Sequence, residues 1–492
     1  MDRKLVLVLA LTLLIGMLNV ASNVQKAKAS GTIYIRADGS IDPPTAPIQR
    51  DGNVYNFIDN VYDSIVVERN NVVIDGNGFT LQGSDEYLSN GMDLSARENV
   101  TVLGTQIKAF YHGIYGYSSS YSSLCGNNIT NNYNGIEFSS SSNNNVSGNN
   151  IAANSEHGLR LYYSSSYNTI SGNNITAHLG FGIDLEISCN YNSISGNNIT
   201  NSGNGIQLGS SFNNSVSGNN ITNSGWGLRL YYSSNYNSIS GNNITNSQYG
   251  IVHDGSSNNS ISGNSVTDNI NGIMIRSSYN SSISGNNIAN NDFGIWLESS
   301  SDNRFWHNSF DNNAQQVYIN EFVHNFWDDG SEGNYWSNYT GVDSNHDGIG
   351  DTAHSIYIYN TDRYPLMGIF SDFHATSEYH VQTICNSTIS DFQFDGTAIR
   401  FYATGENGTT GFCRICIPTA LMGGTYRVYV NGTEVFSNLL SCSNSTHSYL
   451  YFNYTHSTEE VIIIPEFPSF LILLLFMTPT LSTLKVCRRK RR

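Results

Sequence analysis

Nine times between residues 124 and 310 the chain repeats one short phrase, and this repeat limits the possible folds more than any other feature. Gly-Asn-Asn recurs at Gly126, Gly148, Gly172, Gly196, Gly218, Gly241, Gly263 (as Gly-Asn-Ser) and Gly285, and His307 takes the glycine position in the last copy. Successive marks lie 22 to 24 residues apart. An aliphatic or aromatic side chain sits two residues before each mark, from Leu124 to Phe305, and another three residues after it, from Ile129 to Phe310. A Gly-apolar-x-apolar run follows, as in Gly182-Ile183-Asp184-Leu185. A unit this short, with Gly and Asn corners, is too broken for a helix pair. It makes one coil of three short strands, each pairing with its equivalents above and below at about 4.8 Å. The aliphatic positions then stack in a narrow core, and Asn supplies left-handed corners and side-chain ladders. The fold expected is all-β: a right-handed parallel β-helix. The six-residue period of a left-handed hexapeptide helix does not occur. Ile175, Ile199 and Ile221 should point inward.

Composition agrees. Between Tyr121 and Phe310 there are 42 Asn, while charged residues make up only 13% of the chain and aromatics 12%. Low charge with frequent aromatics is not the pattern of a disordered chain. Residues 31–116 have the same apolar-turn-apolar logic less regularly and suit a cap with the first coils. Residues 117–320 are the regular repeats, and 321–370 form a terminal block with an Asp-rich loop. In 373–464 the Asn runs stop, and alternating runs such as Thr425–Val430 and Tyr449–Phe452 predict a small antiparallel β-sandwich acting as a stalk.

The ends read as targeting segments. Residues 1–29 carry Arg3 and Lys4, an apolar run over Leu5–Val20 and the small-x-small site Ala27-Lys28-Ala29, the pattern of a secretory signal or an uncleaved N-terminal anchor. Residues 465–492 contain Pro465-Glu466-Phe467-Pro468, an apolar stretch over 469–486 and six terminal residues with five basic groups. This predicts a transmembrane helix with the tail inside and the body outside. The body, 31–465, holds 13 basic and 37 acidic residues, a net −24. That charge excludes nucleic acid as a partner and suits cations or neutral glycans.

The repeat resembles the NosD-like β-helix family, also described as a carbohydrate-binding and sugar-hydrolase β-helix. The stronger likeness follows the repeats: Asn325-Phe326-Trp327-Asp328, Gly333-Asn334-Tyr335-Trp336, Asp347-Gly348-Ile349-Gly350-Asp351 and Asp362–Met367 are similar to the block closing the array in archaeal members. The resemblance covers roughly 31–370. It implies an extracytoplasmic β-helix and raises copper, since founding members are associated with copper supply to a reductase. The Pro-Glu-Phe tail resembles archaeal sorting signals of the PEF type, which implies surface anchoring, with tail cleavage and lipidation left open.

The residues argue against copper, because the twelve His are scattered and no His-x-His or Met-x-x-Met spacing occurs. They favour calcium. Asp343, Asn345, Asp347, the Ile349 carbonyl and Asp351 take the ligand positions of an EF-hand-type loop with Gly348 at the turn, but His354 replaces the closing Glu, so a weak site is expected. An Asp/Asn turn held by its own side chains is the plainer alternative.

No catalytic residues are assigned. Asp184 and Glu186 face outward on one strand, yet Glu137, Arg160 and Asp184 fill one position in consecutive coils. Asp254, Arg276 and Glu298 fill another, so alternating charge reads as a structural ladder. Arg160, Tyr162, Asp184, Glu186, Arg229, Tyr231 and Trp296 form a candidate glycan-contact face, with stiffening of the coils as the alternative role. The reading is a surface-anchored, non-catalytic β-helix contacting glycans or envelope proteins. An extracellular polysaccharide lyase, hydrolase or epimerase is the first alternative, and a copper-associated protein the second. Asn128, Asn174, Asn198, Asn243 and Asn431 head glycosylation sequons. Cys385, Cys413, Cys416 and Cys442 suit disulfides of open pairing, except that Cys413 and Cys416 lie on opposite faces of one strand.

Overall fold

The computed structural model describes residues 31–84, 88–320 and 322–466. The signal at 1–29, the apolar stretch at 469–486 and the basic tail lie outside these. Among the described residues every regular element is a strand, and no helix is long and apolar enough to cross a membrane. The chain divides after Gln207 into two compact units.

In the first unit each coil contributes three strands to three parallel sheets. One sheet has the longest strands, including His112–Tyr117, Asn134–Ser139, Leu159–Tyr162 and Phe181–Glu186. The others are built from triplets such as Thr169–Ser171 and Asn174–Thr176. Register is kept from coil to coil: Ile129, Ile151, Ile175 and Ile199 are successive partners, and all are buried. The coils therefore form a parallel β-helix of the expected right-handed type, with Ile175 and Ile199 inward as anticipated. At its start the antiparallel pair Ile48–Asp51 and Val54–Phe57 covers the open edge.

The corners explain the composition. Gly126 has φ +64°, where a Cβ is disfavoured, and the other repeat glycines match it. The first Asn after each glycine is buried and bonds along the stack. Asn149 Nδ2 donates to Asn173 Oδ1 at 3.0 Å and to the Leu124 carbonyl at 2.8 Å. Asn173 repeats this with Asn197 and the Val146 carbonyl, both at 2.9 Å. These amides satisfy corner backbone groups that would otherwise be buried without partners.

The second unit continues the pattern from its own first coil. Ile221, Ile244, Val266, Ile288 and Phe310 are successive register partners, and Trp336 follows Phe310. Aromatic rings close this core: Trp327 stacks on Phe305 at 4.3 Å and Trp336 on Phe310 at 4.2 Å. Their indole N–H groups donate to Asn360 Oδ1 (3.0 Å) and Asp362 Oδ2 (2.8 Å). Beyond them, two five-stranded antiparallel sheets form a sandwich whose strands run from Ile369 to Pro465. Its core includes Phe401, Cys413, Ile415, Phe452 and Ile463. Arg414 of the sandwich donates to Glu332 of the terminal block at 2.7 Å, and Glu332 also meets His307 Nε2 at 2.8 Å.

Candidate functional site

In the long strands, alternation sends Ile183 and Leu185 inward and Asp184 and Glu186 outward. The register places Glu137, Arg160 and Asp184 side by side in consecutive coils. Arg160 Nη2 donates to Glu186 Oε2 at 2.7 Å, and its Nε lies 3.3 Å from Asp184 Oδ2. Gln207 Nε2 donates to Asp184 Oδ1 at 3.2 Å and to Glu186 Oε1 at 3.3 Å. Glu137 accepts from Asn134 at 3.2 Å and lies 3.7 Å from His112 Nδ1. His157 Nε2 stands 4.0 Å from Asp184 Oδ2.

Burial sets the protonation of this network. It raises Asp184 to about 7, reinforced by Glu186 and opposed by Arg160 and Gln207. It also raises Glu137. Burial, with Arg160 nearby, lowers His112 and His157 to about 4, so both imidazoles are neutral at pH 7. Above the network, the Arg160 guanidinium lies 4.1 Å from the Tyr162 ring centroid, and Tyr162 meets Tyr163 at 3.9 Å. Tyr163 is 49% exposed, whereas Asp184 is only 1% exposed.

The second unit builds the same grouping from its own residues. Arg229 lies 3.8 Å from the Tyr231 centroid and 4.1 Å from that of Trp226, and donates to Asp254 at 3.2 Å. Tyr231 meets Tyr232, 64% exposed, at 3.6 Å. Arg276 holds Asp254 in two bonds of 3.0 and 2.6 Å, with Glu298 its register neighbour on the other side. Trp296 packs against Tyr318 at 4.4 Å and Phe293 at 5.2 Å. Thus Arg160, Tyr162, Asp184 and Glu186 come together in one unit, and Arg229 and Tyr231 in the other, with Trp296 in a separate aromatic cluster. His112, His157, Asn134 and Gln207 were not foreseen. Their signal was positional, because the histidines and Asn134 precede the Gly of the Gly-apolar-x-apolar run and Gln207 occupies the Asp184 slot.

The Asp-rich loop is held by its own side chains. Asp343 accepts from the N–H groups of Asp347 (3.0 Å) and Gly348 (2.8 Å), Asp347 from Ile349 (2.9 Å) and Asp351 from Ser344 (2.8 Å). Asn345 donates to Asp347 at 3.1 Å. Of the sequon asparagines, Asn174, Asn198, Asn243 and Asn431 are exposed and Asn128 is half-buried. Asn174 and Asn198 belong to an outer amide ladder, at 2.8 and 3.0 Å from the preceding coil. Cys385, Cys413, Cys416 and Cys442 are free thiols, and Cys385 faces Cys413 across neighbouring strands.

A family model described as periplasmic copper-binding protein (NosD) matches residues 32–203 and 187–341, more than half of the chain. No curated protein matches. Similar solved structures include a double mutant of the periplasmic alginate epimerase AlgG, at 16% identity and TM-score 0.48, covering 61% of this chain and 84% of that one. The Azotobacter vinelandii mannuronan C-5 epimerase AlgE6 A-module has 14% identity and TM-score 0.41, with 61% and 90% covered. The Dettilon tailspike protein has 17% identity and TM-score 0.34, with 89% and 85% covered. Likeness at this level adds nothing to what the strand register shows. Copper can be tested on the donors of the matched segment. His178 is bonded to the Ile151 and Asn154 carbonyls, His253 points into the aliphatic core, and His307 is bonded to Glu332. Among the described residues no group of three or more His, Cys, Asp or Glu is arranged to hold a metal ion. The match itself, extending over all the regular coils and into the terminal block, shows that the chain belongs to the NosD family.

Proposed function

We propose that this is an exported, surface-held β-helix protein that binds neutral glycans on the outer face of its long strands and leaves them chemically unchanged. The observation carrying this reading is the recurrence, in two separate units, of one grouping: an arginine stacked on a tyrosine, a second exposed tyrosine beside it, and a carboxylate fixing the arginine. Exposed aromatic faces next to fixed polar groups suit sugar rings, which have apolar faces and hydroxyl edges. A body of net −24 repels acidic polymers. Export agrees with the basic-apolar-small pattern of residues 1–29 and with a family described as periplasmic.

The non-catalytic part rests on accessibility. Asp184 is held by Arg160 and Gln207, and at 1% exposure its carboxyl cannot touch a reacting atom. A polysaccharide hydrolase or lyase is the second reading. It is favoured by the carboxyl of Asp184, which burial raises to about 7, in the range of a general acid. A glycan array followed by end-group analysis of every hit separates the two. Binding with no new ends supports a binding protein, and new reducing or unsaturated ends support an enzyme. Calcium at Asp343, Asn345, Asp347, Ile349 and Asp351 is a further part of this proposal. Millimolar calcium should raise the melting temperature, and Asp347→Ala should remove the rise. An equal rise in the variant would place calcium elsewhere.

A further inference from the structure

In the sandwich, outside the family-matched segment, the topology sets two cysteines opposite one another. The strands His380–Cys385 and Thr410–Pro418 are neighbours in one five-stranded sheet and pair antiparallel. Their register runs from Gln382 with Cys416 to Cys385 with Cys413. Directly opposed residues of an antiparallel pair have Cα atoms about 4.5 or 5.5 Å apart and side chains on the same face. A disulfide spans Cα separations of about 4.4–6.8 Å, so either kind of pair is bridged with the backbone in place. Both side chains enter the sandwich core, at 1% and 0% exposure, in one cluster with Phe401, Phe452 and Tyr454. The thiol of Cys413 is hydrogen-bonded to that of Cys385. Cys385 Sγ also donates to the Phe412 carbonyl at 3.0 Å and lies 3.3 Å from Tyr454 Oη. The other two sandwich cysteines have no such partner position. Alternation turns Cys416 to the opposite face of its strand, with Tyr449 its neighbour in the next strand. Cys442 is exposed, and Arg414 Nη2 lies 3.9 Å from its sulfur.

We propose that Cys385 and Cys413 are a site of oxidative modification, joined in the mature protein by a disulfide that ties two neighbouring strands of the sandwich. The step is a thiol–disulfide exchange, with a small-molecule or protein disulfide as the oxidant. One cysteine thiolate attacks a sulfur of that disulfide, forming a mixed disulfide and releasing one thiol. The second thiolate attacks the cysteine sulfur of the mixed disulfide, forming the Cys385–Cys413 bond and releasing the other thiol. The two cysteines lose two electrons and two protons in all, and the oxidant takes them up and leaves as two thiols. Sulfurs this deeply buried are closed to an oxidant, so the bond forms while the strands are paired and the core is still open. Once the core closes, the same burial shields the bond from reductants. The loop it closes holds the strands Thr388–Phe394 and Ile399–Thr404, which belong to the opposite sheet. The bond therefore restricts the unfolded chain over parts of both sheets. Only the oxidising surroundings are taken from the proposed function, through export, and the test below supplies them directly.

The test is peptide mapping of the full chain. The protein is opened in urea and diluted into a buffer of reduced and oxidised glutathione until its circular dichroism is that of the starting material. Remaining thiols are then blocked and the chain is digested with trypsin without reduction. Cleavage after Arg363, Arg400 and Arg414 releases fragments 364–400 and 401–414, which carry Cys385 and Cys413 as their single cysteines. The expected result is one species with the summed mass of these two fragments less two hydrogens, which separates into the two on reduction. The bridged protein should also melt at least about 5 °C above the same protein in reductant. In Cys385→Ala/Cys413→Ala the melting temperature should no longer respond to reductant. The mapping needs no variant, so its outcome stands even where the double variant fails to fold. Fragments 364–400 and 401–414 recovered singly with blocked thiols, or either cysteine joined to another partner, would overturn the assignment.

Discussion

At the scale of single residues, His253 is the clearest departure from the aliphatic core. Gly250-Ile251-Val252-His253 puts an imidazole in the inward slot where neighbouring coils carry Leu230 and Ile275. It is 0% exposed, and neither ring nitrogen has a hydrogen-bond partner. Burial lowers it from 6.5 to about 4. An unfolded chain therefore takes up this proton below about pH 6.5, whereas the folded one resists until about pH 4, and stability is lost progressively as pH falls between those values. His112 and His157 act in the same direction. His253→Leu should stabilise the protein at pH 7 by about 1–3 kcal/mol, the usual cost of unsatisfied buried polar groups, and should weaken its acid sensitivity. Urea titrations at pH 7 and pH 5 measure both; a destabilised leucine variant would show that the imidazole has a partner in solution. The inward position of His253 was legible from alternation alone. Its isolation was not, because that depends on which groups the adjoining coils present.

At the scale of elements, the buried Asn stack gives the corners their definition. Asn264 accepts from the N–H and Nδ2 of Asn242, both at 2.9 Å, and donates to Asn286 at 2.9 Å and to the Ile239 carbonyl at 3.0 Å. Asn264→Ala strands several of these groups away from water and should cost about 3 kcal/mol. The exposed Asn243, whose Nδ2 reaches Asn220 at 2.8 Å, should tolerate alanine within about 0.5 kcal/mol. Denaturant midpoints of the two variants test this, and equal losses would mean that the inner stack is not the stabilising one. Coil period, inward Ile positions and Asn stacking could all be read from the sequence, because a parallel stack keeps every equivalent residue in register. The diagonal bonds could not. Arg160 reaches Glu186 rather than Glu137, since a long side chain chooses among register neighbours by local crowding.

At the scale of the whole molecule, family membership and chemistry point in different directions. The family model carries a copper description over residues 32–341, yet the outer face there presents arginines, tyrosines and buried carboxylates. A strongly acidic body with aromatic surface groups suits a protein that meets uncharged polymers outside the cell. The most direct test of that claim is equilibrium binding of array-selected neutral oligosaccharides to the unaltered protein, to Tyr163→Ala and to Tyr232→Ala, with mass and proton spectra of each glycan recorded after long incubation. The expected result is at least about tenfold weaker binding in one or both variants, consistent with the loss of a stacking face, and glycans recovered unchanged in mass and stereochemistry. Undiminished binding in both variants, or a glycan returned cleaved, unsaturated or epimerised, would contradict it.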